Sequence, residues 1–224
     1  HMVDTVLYFE GDDASRFRLV RSFKNRFGSV NEVGIFAMTG KGLREITNPS
    51  EMFLSGSERD NSGSVVLVTQ EGTRPLLVEV QALLDPSSLA NPRRLCVGLD
   101  AQRLVMLLAV LHRHGGVSLG GYDIYVNVAG GIRVMDSGAD VAAAAAVLSS
   151  LFNKNFPADA VCFGEVGLAG EIRPVQRGEE RLKEAAKLGF KRALIPKGNK
   201  ISRKIPGLEI IPLLRVEDLV AWLE

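Results

Sequence analysis

The chain has 224 residues, 46% apolar and 24% charged, with 27 Lys and Arg against 26 Asp and Glu. That composition suits a globular protein with a sizeable core, either one large domain or one domain plus a fragment. No apolar run reaches the roughly 18 residues of a membrane span and no signal-peptide pattern opens the chain, so a cytoplasmic protein with no membrane partner is expected. The net charge of +1 decides nothing about nucleic acid, which is left to local clusters.

His1-Met2 reads as a cloning remnant. Residues 3–56 read as short strands with polar breaks: "TVLYFEG", "FRLVRSF", the turn "KNRFGS", the strand pair in "EVGIFAMTGKGLREI" and a short cap-like "NPSEMFL". "SGSERDNSGS" (Ser55–Ser64) is polar and Gly/Ser-rich, so a linker is expected over 57–63 and a second domain over 64–224. In that second part, "SVVLVTQ" and "PLLVEVQALL" flank "EGTR" as a hairpin, and "RRLCVGL" is a further strand. "DAQRLVMLLAVLHRHGG" is a helix capped by Asp100 and stopped by Gly115-Gly116. "YDIYVNVAG" is a strand and "SGADVAAAAAVLSSLFN" a helix whose five alanines suit close packing. "DAVCFGEVGLAGEIRPV" reads as two strands around a glycine turn, and "GEERLKEAAKLGF" as an amphipathic helix with a glycine stop. A strand in "RALIPKGN", then a strand and a short helix in "LEIIPLLRVEDLVAWLE", complete an α/β (α+β) chain. Cys96 and Cys162 sit in apolar runs without C-x-x-C spacing and read as buried reduced thiols; no metal site is expected.

Ser137, ahead of the alanine-rich helix, raises the question of a nucleophile. Ser137-Gly-Ala-Asp140 also has the spacing of a capping box, and a cap needs no chemistry. His112 and His114 end a different helix, beside Arg113, and Lys154, Lys183 and Lys187 lie on polar faces. No base is placed for the serine by the pattern.

"GEVGLAGEIRPV", a helix and "LIPKGN" together resemble the proteolytic domain of the Lon family. In that family a G-E-x-x-L-x-G-x-x-x-P-I-G-G-x-K-E-K pattern carries a catalytic lysine, and an earlier D-G-P-S-A-G carries the serine. Aligning on Gly164-Glu165, Gly170 and Pro174 puts Glu179 at the lysine position. Aligning "MDSGADVA" on the serine motif puts Gly138 at the nucleophile and Ser137 where proline stands. The resemblance therefore implies a Lon protease-like domain, of the ribosomal protein S5 domain 2-like type, with a degenerate dyad and no catalytic residue. A Ser-Lys peptidase built from Ser137 and Lys183 would require a one-residue shift at the serine and a lysine displaced by one helical turn, ~5 Å, from the Glu179 position.

"KNRFGSVNEVGIF" together with "NPRRLCVGLDAQRLVMLLAVLHRHGG" resembles the RadA/Sms family of RecA-related bacterial DNA repair proteins, from Tyr8 to about Asn199. That likeness implies the end of a RecA-like ATPase core over 3–56 followed by the Lon-like domain. By it, Lys24 and Arg26 of the K-N-R-F-G motif would reach a neighbouring subunit's ATP, stabilising charge on its γ-phosphate. It also implies a zinc finger and an ATP- and Mg-binding lobe in the whole protein, a hexameric ring, and a role in recombination and branch migration beside the RecA recombinase. "GKGLREI" lacks the P-loop spacing, so the fragment itself is expected to be no enzyme and to hold no cofactor. Double-stranded and branched DNA are the expected partners. Arg93, Arg94, Arg103, Arg113, Arg133, Arg173 and Arg177 are the candidate phosphate contacts, since the guanidinium fork binds phosphate bidentately. Few aromatics lie among them, which favours backbone-directed duplex binding over base stacking. A bare oligomerisation scaffold is the alternative, and Arg94 and Arg103 could instead form structural pairs, for example with Asp100.

Overall fold

The computed structural model describes residues 2–11, 17–30, 32–54 and 61–224. The chain first forms an antiparallel meander of β1 (Thr5–Glu10), β2 (Phe17–Asn25), β3 (Val33–Thr39) and β4 (Gly42–Glu45), followed by α1 (Pro49–Leu54). One side of the meander turns Leu19, Val33 and Ile35 into the core. Phe17 stacks edge-on against Phe53 of α1, with ring centroids 5.0 Å apart. Most of the expected linker lies outside the described residues, but its end does not behave as one. Gly63 donates its N–H to Ser149 Oγ at 2.8 Å, and Ser62 Oγ lies 3.1 Å from Asn153 Oδ1. These residues are fastened to the second part, so a linker up to residue 63 is corrected.

The second part is a seven-stranded mixed sheet. Its strands are β5 (Ser64–Glu71), β6 (Arg74–Pro86), β7 (Arg94–Val97), β8 (Tyr122–Val128), β9 (Ala160–Cys162), β12 (Arg192–Pro196) and β13 (Glu209–Leu213). They lie in the order β13-β12-β9-β5-β6-β8-β7. β5, β9, β12 and β13 run parallel, while the β5–β6 hairpin and β8 make the antiparallel half. β5 and the middle of β6 read as near-continuous buried runs, as strands covered on both faces do. The segment expected as two strands is three pieces. β9 joins the large sheet, while β10 (Glu165–Val166) and β11 (Ile172–Arg173) form a separate small hairpin.

Four helices complete this part: α2 (Ala101–Arg113), α3 (Asp140–Phe152), α4 (Gly178–Lys187) and α5 (Val216–Leu223). α2 starts where Asp100 caps it, accepting from Arg103 N at 2.8 Å. α3 is buried all round from Asp140 to Ser149, which marks a central helix. Ala142–Ala146 let its backbone approach β5, β6, α2 and α5 closely. It ends at Asn153 in the left-handed region (φ 51°), a conformation asparagine tolerates better than most residues. Its last serines hold neighbouring strands, Ser150 Oγ accepting from Leu84 N at 3.0 Å.

Because Ala144 and Ala145 have no exposed surface, replacing Ala144 by Leu is expected to destabilise by about 1–3 kcal/mol through overpacking. A urea titration checks this, and an unchanged midpoint would show that α3 is not close-packed.

Candidate functional site

The alanine-rich helix is not entered through Ser137. A short 3-10 turn, Ser137–Ala139, precedes α3, and Asp136 caps it by accepting from Gly138 N at 2.9 Å. The N-cap of α3 itself, Ala139, makes no side-chain cap bond. Ser137 is therefore neither the cap nor half of a capping box. Asp140, expected to complete that box, instead accepts from Val166 N at 2.9 Å and from the Arg103 guanidinium.

Asp136 has a larger role. Its carboxylate faces Arg181 of α4, whose NH1 lies 2.5 Å from Oδ2. Gln70 N donates to the same oxygen at 2.9 Å and Thr69 Oγ1 lies 3.3 Å away. Arg181 is 1% exposed. Its remaining donors reach Val68 O at 2.8 Å and Gln176 O at 3.0 Å, and its guanidinium carbon lies 5.3 Å from the Phe163 ring centroid. Burial alone would push the Asp136 carboxyl up. Arg181 and the N–H donors of Gly138 and Gln70 outweigh that and hold it below the ordinary carboxylate value.

This cluster occupies the place where the Lon comparison looks for a nucleophile and its base. A Cβ on Gly138 would lie 3.0 Å from Arg181 NH1 and 3.1 Å from the Asp136 oxygens. The cation beside Gly138 is thus Arg181. Glu179, aligned with the catalytic lysine, turns away to accept from Ser202 N and pairs with Lys183 at 4.0 Å. Lys183 is largely exposed, and His114 Nε2 lies 3.1 Å from Leu168 O. Among the described residues, no Lys or His stands within hydrogen-bond reach of Ser137 to act as its base.

Two hollows meet at Met135–Ser137. One, of about 290 Å³, runs between α2 and α3 and is lined by Leu99, Leu104, Leu107, Val134 and Ala143, with Arg103, Asp140 and Glu165 as polar groups. The other is an open, polar depression of about 700 Å³ bordered by Arg21, Glu71, Gln70, Gln176 and Arg181. There Arg21 of β2 bridges Glu10 (3.0 Å) and buried Glu71 (3.0 Å), tying the meander to the large sheet. Burial raises the Glu71 carboxyl, and it raises that of Asp140 despite the facing arginines.

The expected phosphate-binding arginines divide into two groups. Arg94 donates to the carbonyls of Leu119 (3.0 Å) and Tyr122. Arg103 binds Asp140, not Asp100, and Val166 O at 2.7 Å. Arg173 pairs with Glu171 at 2.6 Å. These three serve the fold's own carbonyls and carboxylates. Arg93, Arg113, Arg133 and Arg177 are exposed, and none of them belongs to an ion pair among the described residues. Lys24 and Arg26 sit at the open end of the β1–β2 ladder. Lys24 Nζ donates to Val3 O at 2.6 Å, and exposed Arg26 pairs with Asp4 at 3.1 Å.

The chain is 58% identical over 218 residues to the DNA repair protein RadA of Pseudomonas aeruginosa, covering 97% of this chain and 48% of that protein. It is 54% identical over 222 residues to the RadA of Escherichia coli, covering 99% and 48% respectively. The RadA of Halalkalibacterium halodurans is 48% identical over 219 residues, again covering 48% of that protein. The chain belongs to the RadA family. It spans about half the length of the curated relatives it matches. A family model described as subunit ChlI of Mg-chelatase also matches residues 107–199.

Two expectations are corrected by these matches. A fragment with no enzymatic part and no cofactor is overturned, because the ChlI match and the RadA relatives associate the chain with an ATPase region, for which ATP and Mg are the cofactors. Gly40-Lys41-Gly42 does not fit a phosphate cradle for them. It is the turn of the β3–β4 hairpin and leads into no helix. No described helix is long and apolar enough to cross a membrane.

Removing one partner of a buried pair strands the other charge. Arg181→Met is therefore expected to cost about 3–5 kcal/mol, and adding Asp136→Leu to recover part of that. Denaturant midpoints of the single and double variants decide it, and additive losses would overturn the pairing. Since the folded carboxyl of Asp136 lies below its unfolded value, its contribution is complete above the ordinary carboxylate range of about 4 and is lost as pH falls through the lower folded value. Asp136→Asn should accordingly cost more stability at pH 7 than in acid; an equal loss at both would exclude the depressed carboxyl. Ser137→Ala, by contrast, should stay within about 0.5 kcal/mol of the parent, the range for a surface change that removes no cap.

Proposed function

We propose that this chain is the Lon-like portion and adjoining ATPase-core strands of a RadA-type repair protein. In this reading residues 3–56 end the RecA-like core and 64–224 form the Lon-like domain, which binds duplex and branched DNA through its phosphates. The whole protein would act in the cytoplasm in homologous recombination and branch migration, as a homo-oligomeric, hexameric ring beside the RecA recombinase. Similarity along nearly the whole of this chain to about half of proteins named DNA repair protein RadA supports this placement. The observation that carries the DNA contact is the division of the arginines. Arg93, Arg113, Arg133 and Arg177 are exposed and outside the protein's own ion pairs, and a solvated guanidinium is what a phosphate needs.

A Lon-type peptidase is disfavoured by the same site that suggested it. The Arg181–Asp136 pair fills the space beside Gly138, and a guanidinium, which has donors and no acceptor, cannot serve as a general base. Lys24 and Arg26 are the cations that this chain would offer to a nucleotide held by a neighbouring subunit. Their present partners are exposed, and such surface contacts contribute only ~0–1 kcal/mol, so they exchange readily.

Backbone contact predicts a steep salt dependence. Duplex affinity should fall between about 50 and 200 mM salt with a slope near 0.9 per phosphate neutralised. Combining Arg113→Ala, Arg133→Ala and Arg177→Ala should weaken binding to unrelated duplex sequences equally and flatten that slope. Fluorescence anisotropy across a salt series tests it. No binding at low salt, with an assembly still visible by light scattering, would instead establish a scaffold.

A further inference from the structure

The sequence holds a second cationic feature. Between Arg192 and Glu209 there is no acid, and the loop after β12 carries Lys197, Lys200, Arg203 and Lys204. All four are exposed, and no ion pair among the described residues uses any of them. Glu209 lines the same hollow as Lys204, and two other nearby acids are already engaged. Glu179 accepts from Ser202 N and Asp159 pairs with Arg192.

The loop is held in shape from beneath. Asn199 accepts from Val175 N at 3.1 Å and donates to Val175 O at 2.8 Å, clamping the loop to the segment that leads into α4. Gly178, the first residue of α4, approaches so closely that a Cβ there would lie 2.6 Å from Asn199 Nδ2. Lys197 N donates to Leu213 O at 2.8 Å, and Ile201 and Ile205 pack inward against the core. Exposed Arg177 immediately precedes Gly178, so the clamp brings it to the same rim, at the start of α4, whose first turn also carries Glu179 and Glu180.

We propose that loop 197–204, together with Arg177, is a principal grip of this chain on the sugar–phosphate backbone of duplex DNA. The proposal rests on the DNA-binding reading above and names the surface that carries most of the contact. The chemistry favours a duplex over other polyanions. A membrane surface would require a large exposed apolar or aromatic group to insert beside the cations, and the two isoleucines here are half-buried, packed against the core and lining the hollow beside Lys204. A single strand would require stacking platforms, and residues 191–208 contain no aromatic. An acidic protein partner would require an apolar centre to the interface. Four mobile cations on a fixed loop suit regularly spaced phosphates read without regard to sequence.

The test is the full chain with Lys197, Lys200, Arg203 and Lys204 all changed to Ala, measured by anisotropy against a random-sequence duplex through a salt series. The proposal expects a loss of about tenfold or more at 50 mM salt and a slope reduced by ~0.9 for each contact removed. Exchanging Lys and Arg at the four positions, which keeps the charge, should retain binding. Because the side chains are exposed, the thermal midpoint should match the parent's, and a variant that has lost its fold is replaced by the four single changes. If the parent binds duplex and the fourfold variant binds within a factor of two with the same slope, the loop is not the grip. If the parent binds no duplex at all, the underlying DNA reading falls. Tighter binding of the parent to phosphatidylserine vesicles than to duplex, lost in the variant, would reassign the loop to a membrane surface.

Discussion

The buried pair between Arg181 and Asp136 holds three separate pieces of the chain in one arrangement. Its atoms bond the end of β5 through Val68 and Gln70, the turn into α3 through Gly138, and the entry to α4 through Gln176. A charge in that position is expensive to desolvate, and the attraction between the two groups roughly offsets the cost. In this register of α4 against β5 a guanidinium with 1% exposure meets a carboxylate that also accepts from Gly138 N and Gln70 N. The glycine at 138 follows from it, since any side chain there would press on Arg181 and Asp136.

The same device recurs at two further junctions. Arg103 of α2 fastens Asp140 of α3 and the carbonyl of Val166, and Arg21 of β2 fastens Glu71 of β5. Each clasp joins elements distant in sequence, and each uses arginine, whose planar fork satisfies two acceptors together, a carboxylate and a carbonyl at Arg103 and Arg181 and two carboxylates at Arg21. Glu71 and Asp140 are raised by burial whereas Asp136 is lowered. The difference follows from the count of donors: backbone N–H groups from both Gly138 and Gln70 support Asp136, while burial dominates at the other two. In acid the three carboxyls therefore act with opposite signs, the fold gaining at Glu71 and Asp140 as it loses at Asp136.

Local signals made most elements readable. Asp100 before an apolar period, Gly189 (φ 86°) after α4 and the Glu-Gly-Thr-Arg hairpin are each resolved within a few residues. The site was harder, because its bonds are long-range. Arg181 lies in "GEERLKEAAK", which looks like a solvated helix face. Yet Gly178, Arg181, Leu182 and Ala185, the buried positions of α4, have the i, i+3, i+4, i+7 spacing of an apolar stripe. An arginine in that phase was the available sign of a buried cation. Its partner, 45 residues earlier, had no local sign at all. Ser137 misled for a related reason: serine in front of a helix matches the capping pattern, but the chain begins to turn at Ser137 itself, which leaves the capping position to Asp136. The cations from Lys197 to Lys204 do carry a local sign, the absence of any acid between Arg192 and Glu209.

The placement of these features follows from the parallel half of the sheet. β5, β9, β12 and β13 point the same way, so the segments after them, starting at Gly72, Phe163, Lys197 and Leu214, emerge along one edge. Open α/β sheets bind ligands at that carboxyl edge, where successive loops converge without strands to obstruct them. The polar depression bordered by Gln70, Glu71, Glu165, Gln176 and Arg181 lies there, and so does the loop clamped by Asn199. Within this edge the charges are sorted by depth. Arginines with carboxylate partners are sunk where the dielectric is low and geometry must be fixed. Lysines and Arg203 stand outside, exposed to water. The division leaves a fixed platform of buried pairs beneath exposed cations that have no ion-pair partner among the described residues.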